Sequence, residues 1–148
     1  MQRLISEAFE TMPDGRYNWQ HIVLVSKYRY KVFKKQKTID CVKSAFHEVE
    51  QQFGFKIREL GFGEDFAHVH MLVAAPGKFS PSQLLQIFKS HSAHRVFEEI
   101  PNFLKRYPNR EFWNDFRYNG SVGPMNEPTV RNYIKKQDIQ QRQLTEFQ

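Results

Sequence analysis

Two histidines separated by one residue carry the strongest chemical signal in the sequence. His68 and His70 stand in the apolar run AHVHMLVA. Side chains alternate between the two faces of a strand, so both imidazoles share one face with Leu72, while Val69 and Met71 share the other. Neutral imidazole is a common metal ligand. The pattern leaves two interpretations open: a pair of ligands within reach of one metal ion, or two histidines satisfied by ordinary hydrogen bonds.

A tyrosine and a glutamine near the C-terminus form the second candidate pair. Tyr133 and Gln137 belong to the segment YIKKQ. Helical residues four positions apart lie on one face, so these two side chains lie one turn from each other. Val130 and Ile134 occupy a neighbouring stripe that can pack against the protein. A tyrosine in an amphipathic helix usually packs in the core or at its rim, so this pair alone does not establish catalysis.

Residues 27–37, KYRYKVFKKQK, combine positive charge with aromatic rings. Basic side chains hold phosphates, and aromatic rings stack on unpaired bases. We therefore predict that this segment contacts DNA; the alternative is a solvated loop with an aromatic anchor. The residues predicted to contact DNA are Lys27, Tyr28, Arg29, Lys31, Lys34 and Lys35.

Length, charge and cysteine content limit the classes of protein that the chain can belong to. Its 148 residues correspond to one domain, and a net charge of +6 favours a polyanionic partner. An aromatic content of 15% argues against a disordered chain. A single cysteine excludes an internal disulfide framework and a cysteine-based zinc ribbon. No apolar stretch is long enough to span a membrane and we find no secretion signal, so we expect a cytoplasmic protein.

Hydrophobic periodicity predicts the elements that position these residues. After a leader over residues 1–16, we predict strands over 19–26, 55–60, 67–74 and 116–122. Helices are predicted over 38–53, capped by Thr38 and ended by Gly54, from Ser80-Pro81 to Pro101, and from about residue 126 onward. This order predicts an α+β fold. It is a ferredoxin-like (RRM-like) four-stranded antiparallel sheet with helices on one face and a C-terminal helix that carries the tyrosine.

These features together resemble the single-tyrosine HUH transposases, the small TnpA-type enzymes of bacterial and archaeal insertion sequences. The resemblance rests on HVH in a strand followed by YIxxQ in the last helix, with VLVSKYR near the start. Phe112-Trp113 before the last strand and Ser121-Val122-Gly123 before the last helix also fit. It extends over about residues 17–140, and implies that residues 17–148 form a single transposase domain.

The resemblance implies a site, a cofactor and a substrate. His68, His70 and Gln137 would bind a divalent ion, either Mg²⁺ or Mn²⁺. Tyr133 would be the nucleophile that forms a 5′-phosphotyrosine link with single-stranded DNA. The DNA would carry a hairpin near each end of the element. The family also implies a homodimer in which one subunit's tyrosine helix completes the other's metal site; the sequence does not decide between that arrangement and a helix that serves its own chain.

Three alternatives remain open. A replication-initiation or relaxase-type HUH nickase would share the chemistry but is usually larger. A catalytically inactive or domesticated module would bind hairpins without cutting them, and a histidine-metal hydrolase of small phosphodiesters would not need Tyr133. The sequence also departs from the family pattern, because Ala67 stands where an acidic residue usually precedes the first histidine. Asp65 in the preceding turn is a possible substitute.

Overall fold

The computed structural model describes residues 17–115 and 118–121, together with Asn132, Ile134 and Lys135. The regular elements are β1 (Tyr17–Val25), α1 (Gln36–Phe53), β2 (Lys56–Phe62), β3 (His68–Pro76), α2 (Pro81–Glu99) and β4 (Tyr118–Ser121). Short 3₁₀ turns occur at Lys27–Arg29, Val32–Lys34 and Pro101–Lys105. Asn132, Ile134 and Lys135 are helical, and the rest of the predicted C-terminal helix lies outside the described residues.

The four strands form one antiparallel sheet with the order β2-β3-β1-β4. The two central strands have nine residues each and contain the apolar runs IVLV in β1 and MLVAA in β3, which are typical of a buried strand. They pair along their whole length, from Tyr17 opposite Pro76 to Val25 opposite His68. The register places His70 between Val23 of β1 and Gly61 of β2. The predicted mixed α+β class is confirmed.

The hydrophobic core lies between one face of the sheet and the two helices. Ile22 of β1 and Met71 of β3 point into it and are fully buried. Phe46 of α1 and Phe88 of α2 meet edge to face, with ring centroids 5.4 Å apart. Burying side chains of this size stabilises the fold by roughly 1.5–3 kcal/mol each. Because Met71 is buried in this core, the neighbouring positions His70 and Leu72 belong to the face of β3 that is turned away from the helices.

Most predicted boundaries agree with the structure to within a few residues. Gly54 ends α1 with φ of 74°, a left-handed conformation that glycine adopts at little cost. Ser80 caps α2, because its hydroxyl accepts a hydrogen bond from the Gln83 backbone N–H. The prediction that Thr38 caps α1 is wrong. The helix begins at Gln36 with Lys35 as its N-cap, and Thr38 is buried within the first turn.

The second strand extends to Phe62, further than predicted, because Phe62 pairs with Val69 and is buried. A bulge between Ile57 and Glu59 shifts its register against β3. As a result Glu59 lies opposite Leu72, on the same face of the sheet as the histidines.

Within the described ranges, no helix has the length and apolar character needed to cross a membrane.

Candidate active site

His68 and His70 lie side by side on the face of the sheet that is turned away from the helices. The neighbouring Val69 and Met71 point into the core, so strand alternation turns both imidazoles the other way. The ring centroids of the two histidines are 4.5 Å apart. His70 is buried at 7% exposure, while the side chain of His68 is 19% exposed. The imidazole of His70 is therefore enclosed by the protein, whereas that of His68 is partly accessible to solvent.

Asp65 orients His68 from the hairpin loop. Its Oδ1 atom lies 2.6 Å from Nδ1 of His68 and also accepts a hydrogen bond of 3.0 Å from the backbone N–H of Ala67. Burial of Asp65 opposes ionisation, but the hydrogen bonds from His68 and Ala67 outweigh it and lower the pKa of this carboxyl. An ionised carboxylate only accepts hydrogen bonds, so Nδ1 of His68 carries the proton. In the neutral form of this ring, the lone pair is then on Nε2.

The loop between β2 and β3 is built to bring Asp65 and His68 together. Gly63 donates a backbone hydrogen bond to the carbonyl of His68, and Phe66 donates one to the carbonyl of Gly63. Phe66 has a φ of 59°, and its buried ring anchors the turn. A Cβ atom at position 63 would overlap the imidazole of His68. The glycine therefore makes room for the ring that Asp65 holds.

A third histidine, His21 of β1, extends this face. Its Nε2 atom lies 3.3 Å from Nδ1 of His70, and the two rings stack at an interplanar angle of 16°. Burial lowers the pKa of His21, which favours the neutral ring. A neutral Nε2 accepts the hydrogen bond when Nδ1 of His70 carries the proton. In that tautomer the arrangement mirrors the one at His68, because Nδ1 is engaged and the lone pair is on Nε2.

Glu59 and Lys135 place part of the C-terminal segment on the same face. Nζ of Lys135 lies 3.3 Å from Oε1 of Glu59, whose side chain is only 11% exposed. The adjacent Ile134 is completely buried. The ion pair places Lys135 beside β2, the neighbour of the strand that carries the histidines, and Ile134 is enclosed within the chain. Tyr133 and Gln137, the predicted nucleophile and third metal ligand, lie outside the described residues.

The described part of the chain contains no group of three or more His, Cys, Asp or Glu side chains arranged to hold a metal ion. His68 and His70 still suit that role chemically, since each has its Nδ1 atom engaged and Nε2 as the natural ligating atom. A complete site over these two imidazoles needs a further oxygen or nitrogen donor. Gln137 is the donor that the sequence predicts.

The predicted DNA-contact residues divide into two groups. Lys27 pairs with Glu111, and Arg29 lies 3.7 Å from Oδ2 of Asp65. Lys31, Lys34 and Lys35 instead line a cavity of about 500 Å³, which we call the basic cavity. It is also lined by Lys37 and Arg106, with Val32, Thr38, Ile100, Asn102 and Phe103 completing its walls. Beside it Tyr28 is 65% exposed and Tyr30 is 37% exposed.

Residues 17–137 match the model of the family described as IS200-like transposases. The chain belongs to this family. It is 32% identical over 129 residues to the transposases for insertion sequence element IS200 of Salmonella typhimurium and of Salmonella typhi, covering 86% of this chain and 82% of each relative. The predicted resemblance to single-tyrosine TnpA-type transposases is confirmed.

Two solved structures share the fold of this transposase. A putative transposase from Deinococcus radiodurans aligns with a TM-score of 0.63 and 22% identity, over 80% of this chain and 89% of that one. A REP-associated tyrosine transposase bound to a REP hairpin aligns with a TM-score of 0.58 and 13% identity, over 80% of this chain and 65% of that one. At these identities the likeness concerns the fold.

The transposase has functional candidates that the sequence analysis did not single out. His21 was missed because its place beside His70 depends on the register between β1 and β3. Arg106 was missed because it reaches the basic cavity from a distant part of the chain. A larger cleft of about 790 Å³ lies between α2 and residues 110–115, and none of the three histidines lines it.

Proposed function

We propose that this transposase cleaves and rejoins single-stranded DNA at insertion-sequence ends through a 5′-phosphotyrosine intermediate. The observation that supports it is the pair of imidazoles on one sheet face, each with its Nδ1 atom engaged by a neighbour. Two ring nitrogens held in this way are suited to a catalytic metal centre. A solvated pair of histidines would not need a carboxylate on one ring and a partly buried histidine on the other.

Nε2 atoms of His68 and His70, with the side-chain oxygen of Gln137, would hold the divalent ion. Imidazole and amide ligands leave coordination positions for phosphate oxygens and water, which suits Mn²⁺ and Mg²⁺. When bound, the ion supplies Lewis-acid stabilisation of the charge that develops on the scissile phosphate. Asp65 keeps the His68 ring in one tautomer and one orientation.

Tyr133 would supply the nucleophile. Its phenolic oxygen attacks the phosphorus, the phenol loses its proton, and the bond to the 3′ oxygen breaks. That oxygen takes up a proton and leaves as a free 3′-hydroxyl, while the 5′ phosphate stays on the tyrosine. A 3′-hydroxyl then attacks a phosphotyrosine and reverses the same exchange, so no ATP is needed because the ester bond is conserved.

The substrate we propose is single-stranded DNA with a hairpin at each element end. The similar structure that is bound to a REP hairpin supports this class of substrate. We further propose a cytoplasmic homodimer with a ferredoxin-like core and a C-terminal helix that carries Tyr133. The contacts of Ile134 and Lys135 with their own chain favour a helix that lies on its own sheet in at least one state of that dimer.

The test is a covalent-adduct assay on labelled single-stranded DNA that contains the element's own ends. The protein is incubated with Mn²⁺ or with a chelator and run on a denaturing gel. We expect a metal-dependent labelled band with the native protein and with Tyr17→Phe, and none with Tyr133→Phe. Tyr17 is a matched control because it lies opposite Pro76, at the other end of the two central strands from His68.

Each other outcome argues against the proposal. A band that survives in Tyr133→Phe contradicts the assignment of the nucleophile. Hairpin binding without any adduct, on the element's own ends, favours the inactive DNA-binding module. Metal-dependent hydrolysis of small phosphodiesters that does not require Tyr133 favours the hydrolase. Nicking without rejoining would place the chain closer to the replication-initiation and relaxase-type nickases.

A further inference from the structure

We propose a second nucleic-acid site, separate from the histidine face, that holds an unpaired nucleotide. Its base would stack on a tyrosine platform formed by Tyr28 and Tyr30 with Tyr107 behind them. The phosphates beside that nucleotide would lie in the basic cavity. This proposal rests on the proposed function only for the identity of the ligand as DNA. The site itself would recognise an unpaired base and the phosphates next to it.

Tyr28 and Tyr30 are the large aromatic side chains that the described structure leaves open to solvent, at 65% and 37% exposure. Their ring centroids are 5.5 Å apart. The buried ring of Tyr107 stacks behind Tyr28 at 6.4 Å with an interplanar angle of 16°. Accessible aromatic rings are the groups on which single-strand binding proteins stack bases.

The backbone is held in a costly conformation that presents this platform. Tyr28 and Arg29 have φ values of 63° and 53°, in the left-handed region that non-glycine residues seldom adopt. Such strain persists only where neighbouring contacts enforce it, and it is concentrated at functional sites. Here the buried hydroxyl of Ser26 donates to the carbonyl of Tyr30 at 2.7 Å, and the hydroxyl of Tyr107 donates to the carbonyl of Lys27 at 2.8 Å.

The basic cavity continues directly from the platform. The guanidinium of Arg106 lies 5.4 Å from the ring centroid of Tyr30 and also lines the cavity. The cavity is also lined by four lysines, Lys31, Lys34, Lys35 and Lys37. Among the described residues, no acidic side chain lines it. Five cations around about 500 Å³ make a site for a polyanion. A charged backbone with a base beside it fits the cavity and the platform together.

The platform is joined to the loop that holds His68. Arg29 lies 3.7 Å from Oδ2 of Asp65, which binds His68 through its other oxygen. The backbone N–H of Phe33 donates to the carbonyl of Phe66 at 2.9 Å. A DNA strand that leaves the histidine face would therefore pass Asp65 and Arg29 before it reaches Tyr28. Its bases must be unpaired to stack there, since a duplex hides base faces.

The test measures binding of fluorescein-labelled oligo-dT of about 12 nucleotides by fluorescence anisotropy. A chelator is present throughout, so that cleavage does not contribute. We expect Tyr28→Ala to weaken binding roughly 5- to 100-fold, and Tyr28→Phe to bind as the native protein does. Replacing Lys34 and Lys35 with glutamine should reduce the slope of log affinity against log salt by about 0.7 per lysine.

Lys56→Gln is the matched control, because Lys56 is an exposed lysine at the opposite end of the sheet from His68. It should change neither the affinity nor the slope beyond the experimental error. Circular dichroism and thermal melting confirm that each variant is folded. A Tyr28→Ala variant that binds normally overturns the proposal, as does an unlabelled duplex that competes as well as oligo-dT. Failure of the native protein to bind oligo-dT overturns it too.

These outcomes are separable from those of the adduct assay. If the native protein forms the Tyr133 adduct but Tyr28→Ala binds normally, the platform is wrong and the proposed function stands. If Tyr28→Ala loses binding but the native protein forms no adduct, the platform stands and the proposed chemistry fails.

Discussion

The histidine face and the tyrosine platform use polar and aromatic groups in opposite ways. On the histidine face each ring is buried or nearly so, and neighbours fix its nitrogen atoms: Asp65 on His68, and His21 on His70. At the platform Tyr28 faces solvent beside a cavity of exposed cations. Chemistry at a phosphate requires atoms held in place, whereas binding a strand of varied sequence requires accessible charge and a flat ring.

The largest expected effect is a double dissociation between the two regions. His68→Ala removes an imidazole that we propose as a metal ligand, so we expect loss of detectable adduct while the affinity for single-stranded DNA is kept. Tyr28→Ala should show the reverse, with weakened binding and a near-native cleavage rate at saturating DNA. Adduct formation over a range of DNA concentrations measures both.

The distinction between the histidine face and the tyrosine platform fails if His68→Ala and Tyr28→Ala each lose both adduct formation and single-strand binding. Equal loss in His68→Ala would identify His68 as a structural histidine rather than a ligand. Melting temperatures of the two variants distinguish that result from simple unfolding. A His68→Ala variant that still cuts at the native rate would remove the metal site from the proposal altogether.

The next effect concerns Asp65, which we expect to position His68 without touching the DNA. Asp65→Ala should lower the affinity for Mn²⁺ about 10- to 100-fold, which is the range for partners of ligating histidines. Titration with Mn²⁺ measures the affinity. The ¹⁵N chemical shifts of the His68 ring in the metal-free protein report its tautomer, and we expect the shifts of Asp65→Ala to show loss of the Nδ1–H form.

The matched control for this prediction is Glu64, the exposed carboxylate next to Asp65 in the chain. Glu64→Ala should leave the Mn²⁺ affinity unchanged. Equal losses in Asp65→Ala and Glu64→Ala would show that only the total negative charge matters.

Two glycines sharpen the distinction between site geometry and general stability. Gly63→Ala should destabilise the fold by about 1–3 kcal/mol and also weaken Mn²⁺ binding, since the added Cβ overlaps His68. Gly54→Ala meets no neighbour within 4 Å but has a φ of 74°, so it should cost about 1 kcal/mol without any effect on Mn²⁺. Urea unfolding and Mn²⁺ titration of both variants provide the measurements.

Features that depend on residues close together in the sequence could be predicted, whereas contacts between distant segments could not. The shared face of His68 and His70 follows from strand alternation alone, and the left-handed end of α1 follows from Gly54. The contact between His21 and His70 needed the register of two strands that are distant in sequence. Thr38 was mistaken for a cap because a hydroxyl near a helix start has the same local pattern when it is buried in the first turn. Arg106 reaches its site only through tertiary packing.

The smallest expected effect lies beneath the platform, at Tyr107. Burial raises the pKa of its phenol to about 12, so the hydroxyl donates to the carbonyl of Lys27 throughout the neutral range. Tyr107→Phe should cost about 1 kcal/mol at neutral pH through the lost hydrogen bond. It should also weaken single-strand binding slightly, because the strained turn at Tyr28 loses one of its supports.

The pH dependence of Tyr107 separates this role from simple loss of packing. The unfolded chain loses the phenolic proton near pH 10, whereas the folded protein keeps it up to about pH 12. The folded state thus binds more protons in this interval, so the free energy of unfolding falls as pH rises from about 10 to 12. Tyr107→Phe should show a shallower decline there in urea unfolding. An identical decline in both proteins would mean that this phenol ionises freely, and that the turn beneath Tyr28 is held by Ser26 and the backbone rather than by Tyr107.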